Sequence, residues 1–103
     1  MATRVVFTPE ARAQLMSLYR YVADQAGPDT AFALTSAIVD HCERFTTFPR
    51  RGTPRDDIRP GLRTLGFLKR AVIAFDVAGD TITIIGIFYG GQDFETALST
   101  DDG

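Results

Sequence analysis

The residues best suited to chemistry lie in an arginine-rich stretch from Arg44 to Arg70. This stretch holds eight basic residues and two acidic ones, Asp56 and Asp57, so its net charge is +6 in a chain whose total is −2. The remaining residues therefore carry −8. Such an asymmetry predicts a positive face that meets an acidic partner. The alternative is a solvated loop whose arginines pair with the two aspartates and with helix ends.

Within this stretch, Arg63 is the first candidate for contact with a target. It lies in a predicted strand, and its guanidinium carries five donors in a planar fork that suits carboxylate or phosphate. The alternative is a structural arginine paired with Asp76 or with a backbone carbonyl. Tyr89, at the end of the last predicted strand, offers a ring for stacking or a proton donor, or else forms the rim of the core. The other candidate target-binding residues are Arg51, Arg55, Arg59 and Arg70.

A catalytic or metal site is not indicated. His41, the single histidine, is the natural general base, but it falls in a predicted helix beside its apolar face. Cys42 lies on that apolar face and is expected to be a small buried hydrophobe. One cysteine and one histidine give no set of metal ligands, and the Asp56–Asp57 pair lacks a third. We therefore expect no catalytic residue, no metal and no cofactor.

Length and composition predict one domain covering residues 1–103, with an ordered core of about residues 4–98. Of the 103 residues, 45% are hydrophobic and 23% are charged, as in ordinary globular proteins. The sequence pI of about 5.2 argues against a generic nucleic-acid binder. A single cysteine fits a reducing compartment, and no apolar run suits a signal peptide or a membrane span. The expected location is the cytoplasm.

The first half of the chain predicts a strand followed by two helices. Residues Arg4–Phe7 are β-branched or aromatic, and Thr8 and Pro9 suit the N-cap and the first position of a helix. Gly27 and Pro28 end that helix. Apolar residues then recur at spacings of three and four on both helices: Ala11, Leu15, Leu18, Val22 and Ala26, followed by Ala31, Leu34, Ile38, Cys42 and Phe45.

The second half predicts a loop over residues 50–60, then strands over residues 61–67, 70–77 and 81–89, with a turn at residues 78–80. Residues 93–98 are predicted to form a short helical turn or strand. The order β-α-α-β-β-β favours an α+β fold in which a helical hairpin packs on one face of a small, mainly antiparallel sheet. The other sheet face and the arginine loop are expected to be free for partners.

Several segments together resemble the ParE branch of the ParE/RelE toxin superfamily. They are Phe48-Pro49-Arg50-Arg51-Gly52 followed by Arg55, Arg59-Pro60-Gly61-Leu62-Arg63-Thr64-Leu65, the start Val6-Phe7-Thr8-Pro9-Glu10-Ala11, and the strand pair Ala71–Val77 and Ile82–Tyr89. The resemblance extends from about Val5 to Leu98.

The resemblance implies a toxin of a type II toxin–antitoxin system, of the kind associated with plasmid stabilisation and growth arrest. A small ParD-like antitoxin with a ribbon-helix-helix N-terminus would neutralise it by direct binding. The implied target is DNA gyrase, which the toxin would inhibit without catalysis. Relatives of the RelE kind instead cleave mRNA on the ribosome, which is the alternative.

One departure from the family pattern follows the last strand. Family members often carry His or Tyr and then an Arg-Asp pair, whereas this chain has Tyr89-Gly90-Gly91-Gln92-Asp93. Gln92 stands where an arginine is expected, which leaves open a third possibility: a non-toxic member that acts as the antitoxin's partner.

The antitoxin is expected to bind a groove between the two helices. The candidate lining residues are Leu18, Val22, Leu34 and Ile38, where an amphipathic segment would bury apolar surface. The alternative is that packing on the sheet uses these side chains.

Overall fold

The first half of the chain forms one strand and two helices. The computed structural model describes residues 4–46, 52–67 and 71–90. Strand β1 spans Arg4–Phe7, helix α1 spans Pro9–Ala26 and helix α2 spans Pro28–Glu43. A single 3₁₀ turn at Arg44–Thr46 follows. The predicted strand and both predicted helices are confirmed.

Local chemistry fixes the ends of α1. Thr8 is the N-cap, and its hydroxyl accepts a hydrogen bond from the Ala11 N–H at 3.1 Å. Gly27 ends the helix with φ 96°, a value that favours glycine. Pro28 then starts α2. Because only one residue separates the helices, they fold back as an antiparallel hairpin.

The remaining elements form a sheet of five strands. Strand β2 spans Thr53–Pro54, β3 spans Leu62–Phe67, β4 spans Ala71–Ala78 and β5 spans Thr81–Tyr89. The spatial order is β1-β5-β4-β3-β2. Strands β1 and β5 run parallel, and every other pair is antiparallel. The α+β prediction is confirmed, with the two-residue β2 added inside the predicted loop.

Strand β5 carries an irregularity that changes which side chains face the helices. Ala74 lies opposite Gly86, but Phe75 lies opposite Ile84, so Ile85 is an extra residue in the ladder. Such a bulge increases the local twist of the pair. Ile84 and Ile87 both belong to the core beneath the helices, although a regular alternation would place them on opposite faces.

The core lies between the helical hairpin and one face of the sheet. The helices contribute Ala11, Leu18, Val22, Ala31, Ile38 and Cys42, and the 3₁₀ turn contributes Phe45. The strands contribute Ile73, Phe75, Ile82, Ile84 and Ile87. Both predicted apolar helix faces therefore point inward, except that Ala26 at the end of α1 is exposed.

The outer face of the sheet carries a second, smaller cluster. Leu62, Ala74 and Phe88 are buried there, with Ile58 and Ile85 packed against them. Ile58 belongs to the loop between β2 and β3, so this loop folds over the sheet. The expectation of a free outer face is wrong because the loop supplies its own apolar side chain. Within the described residues, no helix is long and apolar enough to cross a membrane.

Thr8 links helix α1 to β5 and provides a test of the fold. Its hydroxyl caps α1 and also donates to the Ile85 carbonyl at 3.1 Å. We expect Thr8→Ala to lower the free energy of unfolding by about 1 to 3 kcal/mol, because one cap and one hydrogen bond are lost. Urea denaturation measures the change. Thr8→Ser keeps the hydroxyl and is the control; an equal loss in both variants would mean that the methyl group, and not the hydroxyl, matters.

Candidate functional site

The loop that carries Arg55 and Arg59 is held by backbone hydrogen bonds. The Arg55 N–H donates to the Leu62 carbonyl at 2.8 Å, and the Ile58 and Arg59 N–H groups donate to the Arg55 carbonyl at 3.0 and 3.2 Å. The Asp56 carboxylate accepts from the Gly61 N–H at 2.9 Å. The arginines of this loop therefore project from an ordered turn.

Arg55 uses its guanidinium fork within the loop. Its Nε and Nη2 donate to the two carboxylate oxygens of Asp57, each at 3.0 Å. The side chain of Arg55 is 21% exposed and that of Asp57 is 65% exposed. The hydrogen bonds from Arg55 hold the pKa of Asp57 below its usual value, although burial works against them. This is the internal pairing that the solvated-loop alternative described, and it neutralises Arg55 locally.

Arg59 acts on Asp76 across the outer face of the sheet. Asp76 lies opposite Leu62, and Leu62 is buried in the outer cluster, so the Asp76 side chain points to that face. Burial raises the pKa of Asp76 above its usual value, and the charge of Arg59 opposes this rise. Arg59 is therefore the cation that compensates this half-buried carboxylate.

Arg63 faces the other way. It lies opposite Phe75, a core residue, and opposite Pro54 of β2. Successive residues of a strand point to opposite faces, so the register does not allow the Arg63–Asp76 pair. Arg63 instead lines a small cavity of about 190 Å³ with Asp56 and other residues at the β2–β3 edge. It is half-buried, which holds the guanidinium near the rim of the helix-covered face.

The candidate target-binding residues that the structure describes lie at two different ends of β3. Arg55, Arg59 and Arg63 lie at one end of β3, whereas Tyr89 lies opposite Ala71, which pairs with Phe67 at the other end. Four residues of extended strand separate the two ends by about 13 Å. Arg51 and Arg70, together with Gln92, fall outside the described residues.

A glycine fixes where the arginine-rich stretch enters the sheet. Gly52 has φ 80°, and a Cβ at this position would collide with the Thr64 carbonyl of β3. Only glycine allows the backbone to approach β3 this closely. The close contact therefore fixes the backbone of Gly52 against β3 at the start of the described part of this stretch.

His41 and Cys42 have structural surroundings. The His41 ring lies 5.5 Å from Phe45 in an edge-on arrangement and 4.7 Å from Phe67. Burial is the main cause that raises the pKa of Cys42 to about 12, and nearby Glu43 adds to it. Its thiol therefore stays neutral at physiological pH. Over the described parts of the chain, no three His, Cys, Asp or Glu side chains group as metal ligands.

The residues predicted to bind an antitoxin lie mostly inside the domain. Leu18, Val22 and Ile38 are 6%, 8% and 0% exposed, and Leu34 is partly buried against the same core. Most of the surface of these side chains is therefore buried by packing inside the domain, which is the alternative given in the sequence analysis. The exposed apolar side chains of α1 are their neighbours Met16, Tyr19 and Tyr21, which are 55%, 36% and 59% exposed. The helical spacing of apolar residues predicts the inward face of α1, but it does not identify these exposed side chains.

Two grooves border α1. The hairpin groove, about 970 Å³, runs between α1 and α2 and is lined by Leu15, Met16, Tyr19, Arg20, Ala37, Asp40 and Glu43 among others. The edge groove, about 450 Å³, runs between α1 and the end of β5 and is lined by Ala13, Gln14, Ser17, Leu18, Tyr21, Ile87, Tyr89 and Gly90. Of the predicted antitoxin-binding residues, Leu18 lines the edge groove.

The edge groove exists because β1 is short. Strand β1 pairs with β5 only as far as Ile84, so among the described residues no strand lies beside the last part of β5 on that side. The Gln14 side chain of α1 lies beside β5 beyond this point, and its Oε1 accepts a hydrogen bond from the Ile87 N–H at 2.7 Å. A side chain of α1 thus satisfies a backbone group that a longer β1 would bind.

Comparison with known proteins agrees with this architecture. The family model described as the ParE toxin of the type II toxin-antitoxin system parDE matches residues 5–94. The chain belongs to the ParE toxin family. Toxin ParE3 of Caulobacter vibrioides is 30% identical over 95 residues, which cover 92% of this chain and 94% of that protein.

A solved structure shares the fold of this ParE toxin. A chain of the chromosomal ParDE TA system from P. aeruginosa matches with a TM-score of 0.74 and 26% identity, covering 87% of this chain and 97% of that one. The resemblance found in the sequence is thus confirmed at the level of family and fold. This ParE toxin is the toxin type of a ParDE toxin–antitoxin system.

Asp76 provides a test of the outer face. Its raised pKa means that the folded state binds the proton more tightly than the unfolded state does. Stability therefore falls as pH rises from the usual value of 3.8 through the folded pKa, and the loss persists at neutral pH. We expect Asp76→Asn to be more stable than the parent at pH 7 and equal to it in acid, as measured by urea denaturation over a pH series.

Asp57 is the matched control because its pKa is lowered. Its contribution to stability is present above the usual pKa and is lost as pH falls through the folded value, so Asp57→Asn is expected to change stability in the opposite direction at pH 7. Because Asp57 is exposed, the change should be small and should shrink in salt. A destabilised Asp76→Asn at neutral pH would contradict the assignment of Asp76 to a desolvated position.

Proposed function

We propose that this chain is a non-catalytic toxin that inhibits DNA gyrase in the cytoplasm and that a ParD-like antitoxin with a ribbon-helix-helix N-terminus neutralises it. Membership of the ParE family is the observation that carries the proposal. The chemistry of the described residues supports the proposal in two ways. Arginines project from an ordered turn and can contact a partner. His41 packs against aromatic rings and the Cys42 thiol is buried, so both have structural surroundings.

Contact with the target is assigned to the β3 end that carries Arg55, Arg59 and Arg63. Arg55 is balanced by Asp57, and Arg59 is partly balanced by Asp76. Arg63 lies beside Phe75 and Pro54 in the register and lines the small cavity at the β2–β3 edge. A guanidinium held at the rim of a cavity suits an acidic group of a protein partner. Arg51, Arg70 and Tyr89 remain candidate contacts of the same target.

The alternative function is cleavage of mRNA on the ribosome, for which Arg63 and Arg70 would supply charge and Tyr89 a proton. Cleavage without metal needs a base beside the cations that hold the phosphate. His41 stacks against Phe67 at the opposite end of β3 from Arg63. The described residues therefore place His41 beside the end of β3 that is remote from Arg63.

Expression without the antitoxin and an assay of purified gyrase test the target. We expect growth arrest and loss of supercoiling activity on relaxed plasmid. Arg63→Ala should raise the inhibitory concentration about tenfold, because a hydrogen bond to a charged group contributes about 1.5 to 3 kcal/mol. Arg12→Ala changes an exposed arginine on α1 and is the matched control.

Three results would count against gyrase as the target. The first is normal growth on expression, the second is unchanged supercoiling at saturating protein, and the third is an equal effect of the two arginine substitutions. Ribosome-dependent cleavage of mRNA by the same preparation would favour the alternative. New toxicity of Gln92→Arg in an otherwise non-toxic chain would identify an inactive member of the family.

The antitoxin is assigned to the edge groove. Leu18 reaches this groove, Tyr21 is exposed beside it, and none of its described lining residues is charged. An apolar stripe of a partner segment therefore desolvates no charge there. Within the described residues no strand pairs with the end of β5 at this groove, so the segment would also lie beside a strand end.

Binding of the antitoxin can be measured with a purified ParD-like protein. Tyr21→Asp is expected to weaken binding about 30-fold, as loss of a buried interface aromatic typically costs 2 kcal/mol or more. Phe32→Asp changes an aromatic on α2 that is 67% exposed and does not line the edge groove, and it should leave binding unchanged. Equal binding by the Tyr21 variant and the parent would place the antitoxin elsewhere.

A further inference from the structure

Residues 55–61 form the arginine turn, which meets the outer face of the sheet beside Arg59. The Arg59 carbonyl accepts a hydrogen bond from the Leu62 N–H at 3.1 Å, and Leu62 lies directly opposite Asp76 in the ladder of β3 and β4. Ile58, the residue before Arg59, packs on the outer apolar cluster. A backbone hydrogen bond and an apolar contact therefore bring Arg59 to the same part of the sheet as Asp76.

The carboxylates that act on the two arginines of this turn belong to different elements. Asp57, which binds the first arginine, lies within the turn and is exposed. Asp76 belongs to β4, and its neighbours in the register, Leu62 and Thr83, are uncharged. The charge of Arg59 acts on this carboxylate. The interaction of Arg59 with Asp76 therefore links the arginine turn to the sheet.

A half-buried carboxylate inside β4 is unfavourable for stability. Its neighbours along the strand, Phe75 and Val77, are apolar, and burial disfavours the charged form and so raises the pKa of Asp76. Since Asp76→Asn is expected to stabilise the domain at pH 7, the native carboxylate lowers its stability. Groups that break the local rules of stability are found preferentially where function needs them.

We propose that Asp76 is a positioning residue of the target contact, which holds the Arg59 guanidinium at the edge of the outer face so that Arg59 can bind an acidic group of the target. This inference rests on the proposed function. A guanidinium carries five donors, so a contact with Asp76 leaves further donors for the partner. Asp76 is itself half-buried and acts through Arg59.

The pairing of the two residues can be tested without any target. Thermal unfolding at pH 7 is compared for the parent, Asp76→Asn, Arg59→Gln and the double variant. Without Arg59 the carboxylate is uncompensated, so Asp76→Asn should raise the Tm by more in the Arg59→Gln background than in the parent. Equal increments in the two backgrounds would overturn the pairing, and with it the proposal.

Inhibition of gyrase supercoiling by the same four proteins tests the positioning role. Asp76→Asn is expected to raise the inhibitory concentration about fivefold, as loss of one hydrogen bond would, although it stabilises the fold. A merely structural role would not move the two readouts in these opposite directions. In the Arg59→Gln background Asp76→Asn should have no further effect on inhibition.

Two further variants serve as controls for the supercoiling assay. Asp76→Glu keeps the carboxylate and should retain most of the inhibition. Asp24→Asn removes the same charge from an exposed position of α1 and should inhibit like the parent. An equal loss of inhibition in Asp24→Asn and Asp76→Asn would assign the effect to net charge and overturn the proposal.

The outcomes distinguish this proposal from the choice of gyrase as the target. A parent that inhibits gyrase no better than Asp76→Asn would overturn the positioning role and leave the gyrase assignment intact. A parent that arrests growth without inhibiting gyrase would exclude gyrase, and growth arrest by the same variants would then test the positioning role. A parent with neither effect would overturn both.

Discussion

The fold depends on the position of β5 between strands from the two ends of the chain. β5 pairs with β1 on one side and β4 on the other, and α1 lies across it. Ile82, Ile84 and Ile87 of this strand belong to the core, so its burial supplies a large share of the apolar contact between the layers. Because β1 and β5 are remote in sequence, this pairing forms only when the whole domain closes.

The short length of β1 determines where α1 must attach. Beyond Ile84, side chains at the start of α1 contact β5: the N-cap Thr8 donates to the Ile85 carbonyl, and Gln14 accepts from the Ile87 N–H. These two contacts hold the start of α1 against the bulged part of β5. They also leave a depression further along the helix, which is the edge groove. One interaction pattern therefore stabilises the fold and creates a candidate binding surface.

The described part of the arginine-rich stretch, residues 52–67, is less uniformly positive than its sequence charge indicates. Arg55 binds Asp57, Arg59 acts on Asp76, and Ile58 packs on the outer face of the sheet. The loop therefore contributes to the stability of the sheet that carries it. Arg63 is separated from its neighbours by strand alternation, which places it on the helix-covered side. Charge counting alone treats these arginines as one patch, but the register divides them between two faces.

The sequence by itself determined the elements with strong local signals. The cap at Thr8, the break at Gly27–Pro28 and the helical spacing of apolar residues depend on neighbours a few positions away, and these predictions are confirmed. Other features depend on partners far along the chain. They are the parallel pairing of β1 with β5, the bulge at Ile85, and the sheet faces to which Arg63 and Asp76 point. Only the tertiary structure decided them, because strand register is set by packing of the whole sheet. For the same reason the sequence identified the inward residues Leu18, Val22 and Ile38, but the exposed residues beside them became visible only once the helices were packed.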